Sequence, residues 1–413
     1  MRLVYADNNA TTAVAPEVLE AMMPYLTDRY FNPSSMYDAA REPADALDRA
    51  RRTVARFLGG VRPDEVVFTS CATESNNAAI FGAVRANPSR RHVVTTAVEH
   101  PAVLEVCREL EREGLEVTWL PVDRAGRLDE TAFIRALRPG ETLLVTIMHA
   151  NNETGVVFPV DRLARIVKET DPGIVVHTDA TQSVTKLPID LTGPFSGVDL
   201  LSFSGHKIHA PKGVGALFVR RGTPWRPFML GGHQERGRRA GTENVAFIVG
   251  LAAALELAAS DHDRVEPRIR KLRDRLEREL LERIPYLEVN GAGADRLPNT
   301  LNVACHFIEG EGILYQLADA GICASSGSAC TSGSLDSSHV LKAMGVPFTA
   351  VHGSVRFSFS RYTTEEDVER IAAVFPPIIA SLRRLSPYWD QEAGEPRPEG
   401  QALLEQAASS GDR

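Results

Sequence analysis

The chain has 413 residues, 43% of them hydrophobic, with 46 basic and 54 acidic side chains giving a formal charge of -8. Such a length and apolar content fill the cores of two or three domains, which excludes a disordered tail or a metal-stapled mini-domain. The acidic balance and an aromatic content of 7% exclude general nucleic-acid binding, because tracking phosphates requires a positive surface.

Met1-Arg2-Leu3-Val4-Tyr5-Ala6-Asp7 passes directly into polar sequence without a signal-peptide core, and no run of about 18 apolar residues follows. The sequence therefore predicts a cytoplasmic protein with no membrane partner. Between Val54 and Val219, short β-branched runs alternate with helical patterns. The predicted strands are Val66 to Phe68, Val93 to Thr95, Val117 to Leu120, Leu143 to Ile147, Ile174 to His177 and Leu200 to Phe203. Continuous apolar strands separated by helices imply an α/β fold with a largely parallel sheet covered on both faces. Ligands in such sheets sit beyond the carboxyl ends of the strands, so those ends are where chemistry is sought.

From about Asp261 the pattern changes to a charged helix with Val265, Ile269, Leu272, Leu276, Leu280 and Ile284 at helical spacing. Strand-like Thr300 to Ala304 and alternating Ser354 to Phe359 follow, indicating a smaller α+β domain. The expected division is a large domain over 14–261, a small domain formed by 1–13 and 262–389, and a flexible tail over 390–413, where Gly, Pro, Glu, Gln and Ser dominate. The five cysteines are odd in number and never spaced as C-x-x-C, which predicts neither a disulfide framework nor a structural metal site.

The strand ends carry the candidate residues. Thr69 to Asn77 follows the first strand and opens a helix, so free amides and hydroxyls gather there as a phosphate cradle. Glu99-His100-Pro101 follows the second strand, with an imidazole placed to lie against a flat ring and move protons near neutral pH. Asn151-Asn152-Glu153-Thr154-Gly155 supplies another polar strand end. Asp179 ends an apolar strand, and a carboxylate there needs a partner, which the pyridinium nitrogen of pyridoxal phosphate would provide. Gln182 is placed to reach that ring's phenolic oxygen. Ser204-Gly205-His206-Lys207 puts one of only six lysines just past a buried strand, where an amine can form an imine with an aldehyde cofactor. Lys212, before a glycine turn, is its exposed competitor.

The ordered set Asp7 to Thr12, Cys71-Ala72-Thr73-Glu74-Ser75, Glu99-His100-Pro101, Asn151 to Gly155, His177 to Ala180, Ser204 to Lys207 and Arg239 to Asn244 closely resembles the cysteine desulfurases, pyridoxal-phosphate enzymes of the class V aminotransferase group. The resemblance runs from about Tyr5 to Trp389. Gly231 to Arg239 and Ser386 to Trp389 are most similar to the nitrogen-fixation branch, with the long-loop setting of the cysteine.

The resemblance implies a pyridoxal-phosphate-dependent transferase fold of the aspartate-aminotransferase type, with a mainly parallel seven-stranded sheet in the large domain. It implies that Lys207 is the Schiff-base lysine and that Asp179 pairs with the ring nitrogen. Asn152 and Gln182 bind the phenolic oxygen, and His100 stacks on the ring. Ala72, Thr73, Ser204, Gly205 and His206 hold the phosphate end, and Thr242 completes it from the second subunit of a homodimer. Many members of the family carry glycine where this chain has Ala72; the backbone amide is retained.

Ala324 to Ser334 is a run of small and hydroxyl residues around Cys330, which reads as a mobile loop able to carry a thiol. With a pyridoxal site elsewhere, Cys330 is the expected nucleophile: it takes the sulfur of L-cysteine as a persulfide, leaves L-alanine, and passes the sulfur to an iron-sulfur scaffold. Arg356 lies on a strand opposite the apolar face of Val355, Phe357 and Phe359, placed to clamp the substrate carboxylate. The competing readings are a selenocysteine lyase or a class V aminotransferase, for which Cys330 has no use. A third, an iron-sulfur scaffold or sulfur carrier, would need closely grouped thiols.

Overall fold

The computed structural model describes residues 2–308, 310–326 and 337–410, with the side chains of 407–410 left out. Its centre is a seven-stranded sheet in the spatial order Val66–Thr69, Gly215–Val219, Leu200–Ser204, Val175–Asp179, Thr142–Thr146, His92–Thr96, Glu116–Leu120. Six strands run parallel and Gly215–Val219 alone is antiparallel to its neighbours. Six of these strands are buried along their whole length, all but Glu116–Leu120 at the edge, which is why they read as largely continuous apolar runs. The helices Ala72–Ala86 and Pro101–Arg112 cover one face through Ala79, Ile80, Val103, Cys107 and Leu110. Helices Arg41–Phe57, Val160–Thr170 and the start of the long helix cover the other.

A second, antiparallel sheet joins Leu287–Val289, Thr300–Cys305 and Ser354–Ser358, with the central strand paired on both sides. Helices Gly310–Asp319 and Glu365–Arg383 close over it with Ile313, Leu317, Ile371 and Phe375. The strand Val4–Tyr5 pairs with Ile322–Cys323, so the amino-terminal segment belongs to this smaller region by its hydrogen bonds.

One helix, Val245–Arg283, spans both regions. Its first half puts Ile248, Leu251 and Leu255 into the large core, and its second half puts Ile269, Leu272, Leu276 and Leu280 into the small one. The change of partner falls at a kink where Asp261 leaves helical geometry (φ -137°, ψ 16°), with its carboxylate accepting from Arg264 and Arg361. By length and hydropathy this helix alone among the described ones could cross a bilayer, but its apolar face is committed to the two cores. Beyond Trp389, where composition predicts a flexible tail, Trp389–Asp390 pairs with Glu395–Pro396 and a helix runs over Pro398–Ser410.

Candidate active site

The carboxyl ends of the large sheet converge as the strand pattern predicts. Asp179 closes the strand Val175–Asp179 and lies beside Ser202 of the neighbouring strand. It is 6% exposed, and both carboxylate oxygens are held: Oδ2 accepts from Asn76 Nδ2 at 2.7 Å and Oδ1 from the Thr181 amide at 2.9 Å. Two donors fix the plane of the buried carboxylate. Asn76 is fully buried on the helix Ala72–Ala86, and its Oδ1 has no partner among the described residues. Its amide is therefore turned so that the donor serves Asp179.

Lys207 lies on the single 3-10 turn Gly205–Lys207 that follows the strand Leu200–Ser204. Its Nζ donates to the carbonyl oxygens of Asn9 and Ala10, both at 2.7 Å. Thr12 ties the same loop to His206 through its amide and hydroxyl, so the amino-terminal segment forms the wall against which the lysine rests. Lys212 is exposed.

His100 is the N-cap of the helix Pro101–Arg112, and its Nδ1 accepts from the Ala102 amide at 3.1 Å. An accepting Nδ1 fixes the neutral tautomer with its proton on Nε2. Burial holds the ring's pKa below the ordinary histidine value, with Lys207 and His339 adding to the effect and Asp179 opposing it. Beneath it, Glu99 is fully buried and accepts from the Met148 amide and the Thr96 hydroxyl. Burial pushes Glu99 up to about 8 despite those bonds.

At the amino end of the helix Ala72–Ala86, the N-cap Cys71 makes no side-chain cap, so no side chain of the cap occupies the first amides. The Ser204 hydroxyl is buried beside this end of the sheet without a partner among the described residues. The strand Gly215–Val219 passes underneath so closely that a Cβ on Gly215 would lie 2.8 Å from the Cys71 carbonyl carbon. Ala72 is buried, Thr73 exposed, Gly205 buried and His206 partly buried, with His206 Nδ1 at 3.1 Å from the Thr11 hydroxyl. Thr242 is on an exposed stretch before the long helix.

From the small sheet, Arg356 is 1% exposed. It donates to Asp7 Oδ1 at 2.6 Å and to the Asn152 carbonyl at 3.0 Å, while Nε is buried with no partner among the described residues. The strand pattern places this side chain opposite the apolar face; the structure adds that it is already ion-paired rather than solvated. Asn9 links the same corner, donating to the Asn152 carbonyl and the Thr300 hydroxyl. Gln182 Nε2 donates to the Asn9 carbonyl at 2.9 Å.

Cys330 lies outside the described residues. Of the other cysteines, burial pushes Cys305 up to about 12 and Cys107 higher still. Burial also raises Cys323, with Asp7 adding to it. Residues that sequence reasoning leaves without a role, yet which touch the site, are Asn76, Lys186 and Asp7. Asn76 carries a faint signal: it is a polar side chain followed on its helix by Ala78, Ala79 and Ile80, all buried.

Comparison with known proteins agrees with this geometry. The aminotransferase class-V family model matches residues 4–371. The chain belongs to the class-V aminotransferase family. It is 54% identical over 403 residues to a cysteine desulfurase of Trichormus azollae, covering 98% of this chain and 99% of the relative. It is 52% identical to the cysteine desulfurase NifS of Azotobacter vinelandii, over 94% of this chain and 95% of the relative. Among solved structures, a NifS-like protein superposes with a TM-score of 0.86 at 38% identity, covering 92% of this chain and all of that one. A NifS-like protein of Rickettsia africae gives 0.82 at 28% identity, covering 91% and 99%.

Pyridoxal phosphate is the cofactor of this family, and the site fits it on its own features. A buried carboxylate suits a pyridinium nitrogen, an amine stands at the adjoining strand end, and uncapped amides with an unpartnered Ser204 hydroxyl suit a phosphate.

Proposed function

We infer that this chain is a cysteine desulfurase that removes sulfur from L-cysteine and leaves L-alanine. The observation that carries the reading is the pairing of a buried, doubly hydrogen-bonded Asp179 with the Lys207 amine at adjoining strand ends. When bound, pyridoxal phosphate supplies an electron sink that eases loss of the substrate α-proton.

The chain's own residues do the rest. Lys207 Nζ would hold the cofactor aldehyde, and the same atom would take the α-proton of the substrate. Asp179, oriented by Asn76 and the Thr181 amide, would hold the proton on the ring nitrogen. Asn152 and Gln182 would bind the phenolic oxygen. Ala72, Thr73, Ser204, Gly205 and His206 would hold the phosphate, joined by Thr242 of the partner subunit. His100 carries its proton on Nε2 and delivers it to the substrate. Arg356, with Asp7 keeping its guanidinium in place, clamps the substrate carboxylate through its fork of N–H groups.

Cys330 attacks the substrate sulfur as a thiolate. The carbon–sulfur bond breaks, its electrons return to carbon, protonation there leads to L-alanine, and the enzyme keeps a persulfide. The buried Cys107 and Cys305 are poor thiolates at neutral pH, which favours Cys330 for this role.

The working form is a homodimer, supported by the exposed row Leu19, Met23 and Leu26 on one face of the helix Pro16–Thr27. It acts in the cytoplasm and hands sulfur to an iron-sulfur scaffold. Production of alanine and sulfide from L-cysteine, abolished in Cys330→Ala while the cofactor's visible absorption persists, tests the assignment. Unchanged sulfide release in that variant contradicts it.

A further inference from the structure

Four residues form a chain of donors and acceptors in which each link has one allowed direction. Lys207 Nζ and Gln182 Nε2 both donate to the Asn9 carbonyl oxygen, at 2.7 and 2.9 Å, and fill its two lone pairs. Gln182 Oε1 accepts from Lys186 Nζ at 3.0 Å. A carbonyl oxygen cannot donate, so the Gln182 amide must turn its NH₂ toward Asn9 and its oxygen toward Lys186. The reverse orientation would set oxygen against oxygen at one end and N–H groups against an amine at the other.

The local chain geometry builds this pair. Gln182 and Lys186 are four residues apart in a turn-rich segment, where the Lys186 amide bonds to the Ser183 carbonyl at 2.9 Å and the Leu187 amide to the same oxygen. These turns, with Thr185 in the left-handed region (φ 71°), bring the Lys186 amine onto the Gln182 amide. Lys186 also lines the same cleft as Lys207. Nothing in its sequence context separates it from a surface lysine, yet its amine ends on a buried amide.

We propose that Lys186 is a positioning residue: by occupying Gln182 Oε1 it holds the Gln182 amide as a donor, with one N–H on Asn9 and the other left for the cofactor's ring oxygen. The proposal rests on the reading of Lys207 as the cofactor lysine. Burial, then Lys207 and Arg356, push the Lys186 amine down to about 7. It is a donor in both protonation states, so the hydrogen bond survives loss of its charge. The other charged groups of the cleft are His209 and Arg361 and, from the long helix, Asp261, His262 and Glu266.

The test is the pH titration of the bound cofactor's visible absorption in purified holoenzyme. A donor on the ring oxygen draws charge away from it and loosens the proton on the nitrogen linked to Lys207, so losing the donor moves the midpoint to higher pH. Lys186→Met should raise the midpoint by about 0.5 to 1 unit, and Lys186→Arg, still a donor, should restore most of it. Gln182→Met should shift it in the same direction. The double variant should shift it no further than Gln182→Met alone, because Lys186 acts through that amide. Lys186→Gln, which keeps polarity but imposes no orientation, must move the midpoint the same way and carries the test if Lys186→Met is not recovered folded.

An unchanged midpoint in Lys186→Met or Lys186→Gln overturns the proposal, as does a double variant whose shift is the sum of the single shifts. Lys207→Ala separates the two levels. If it keeps the titrating absorption, the cofactor-lysine reading fails and takes this proposal with it. If it loses that absorption while Lys186→Met titrates like the wild type, only the positioning role is overturned.

Discussion

The two ends of the site are built differently. At the proposed cofactor end, Asp179 and Lys207 leave neighbouring strands of one sheet, and a single rigid layer sets their spacing. At the proposed substrate end, Arg356 comes from the small sheet and meets Asp7 and Asn152 across sequence separations of 349 and 204 residues. The first arrangement survives as long as the sheet does. The second exists only when the amino-terminal segment, the small region and the large sheet are all in place.

Substitutions at each end should break that contrast in different ways. Lys207→Ala should lower alanine formation by about a thousandfold or more and abolish the cofactor's linked absorption. It should leave the denaturation midpoint nearly unchanged, because the bonds removed are to two loop carbonyls, and that of Asn9 keeps its bond from Gln182. Arg356→Met should act on both function and stability. It strands the Asp7 carboxylate, destabilising the fold by about 3 kcal/mol, and raises KM for L-cysteine. Arg356→Lys keeps the charge without the fork, so KM should rise about tenfold while stability changes less. Steady-state kinetics together with urea denaturation distinguish these outcomes.

A smaller effect is expected at Asn76, which removes one of two donors from Asp179. Asn76→Ala should lower turnover by about tenfold, the scale of one hydrogen bond to a charged group. Turnover equal to the wild type would mean that the Thr181 amide alone orients the carboxylate.

The large region should also be the acid-sensitive one. Burial lowers His149, His177, His206 and His209 to about 4, so the unfolded chain binds protons there before the folded one does. Their contribution to stability is complete above about 6.5, the value of an unperturbed histidine, and is lost as pH falls toward 4. Glu99 has the opposite sign. Its pKa is raised to about 8, so its contribution is complete below the ordinary carboxylate range and fades as pH rises through 8. Thermal melts should therefore show a falling midpoint below about pH 6.5, and Glu99→Gln should flatten the decline on the alkaline side.

Legibility follows the same division. Asp179, His100 and Lys207 can be read from sequence because each stands at or just past the end of an apolar run, and the parallel-sheet rule says where such ends meet. The strand Gly215–Val219 is harder to read: it returns antiparallel, and its opening glycine serves the close approach to Cys71 rather than strand propensity. The kink at Asp261 shows in sequence only as a change of helical pattern, because the helix itself continues through it. Asn76 lies within a helix and Lys186 in a turn, so neither stands at a strand end, and the Asp7–Arg356 pair has no local signal at all. Long-range pairs form from packing, which the order of residues does not display.

The central claim is that sulfur leaves L-cysteine for Cys330 under the control of the Lys207 site. Mass spectrometry of peptides from the cysteine-treated enzyme tests it most directly. The account predicts one added sulfur on the Cys330 peptide, absent when Lys207 is replaced by alanine. Sulfur found instead on Cys71 or Cys323, or added equally without Lys207, would contradict it.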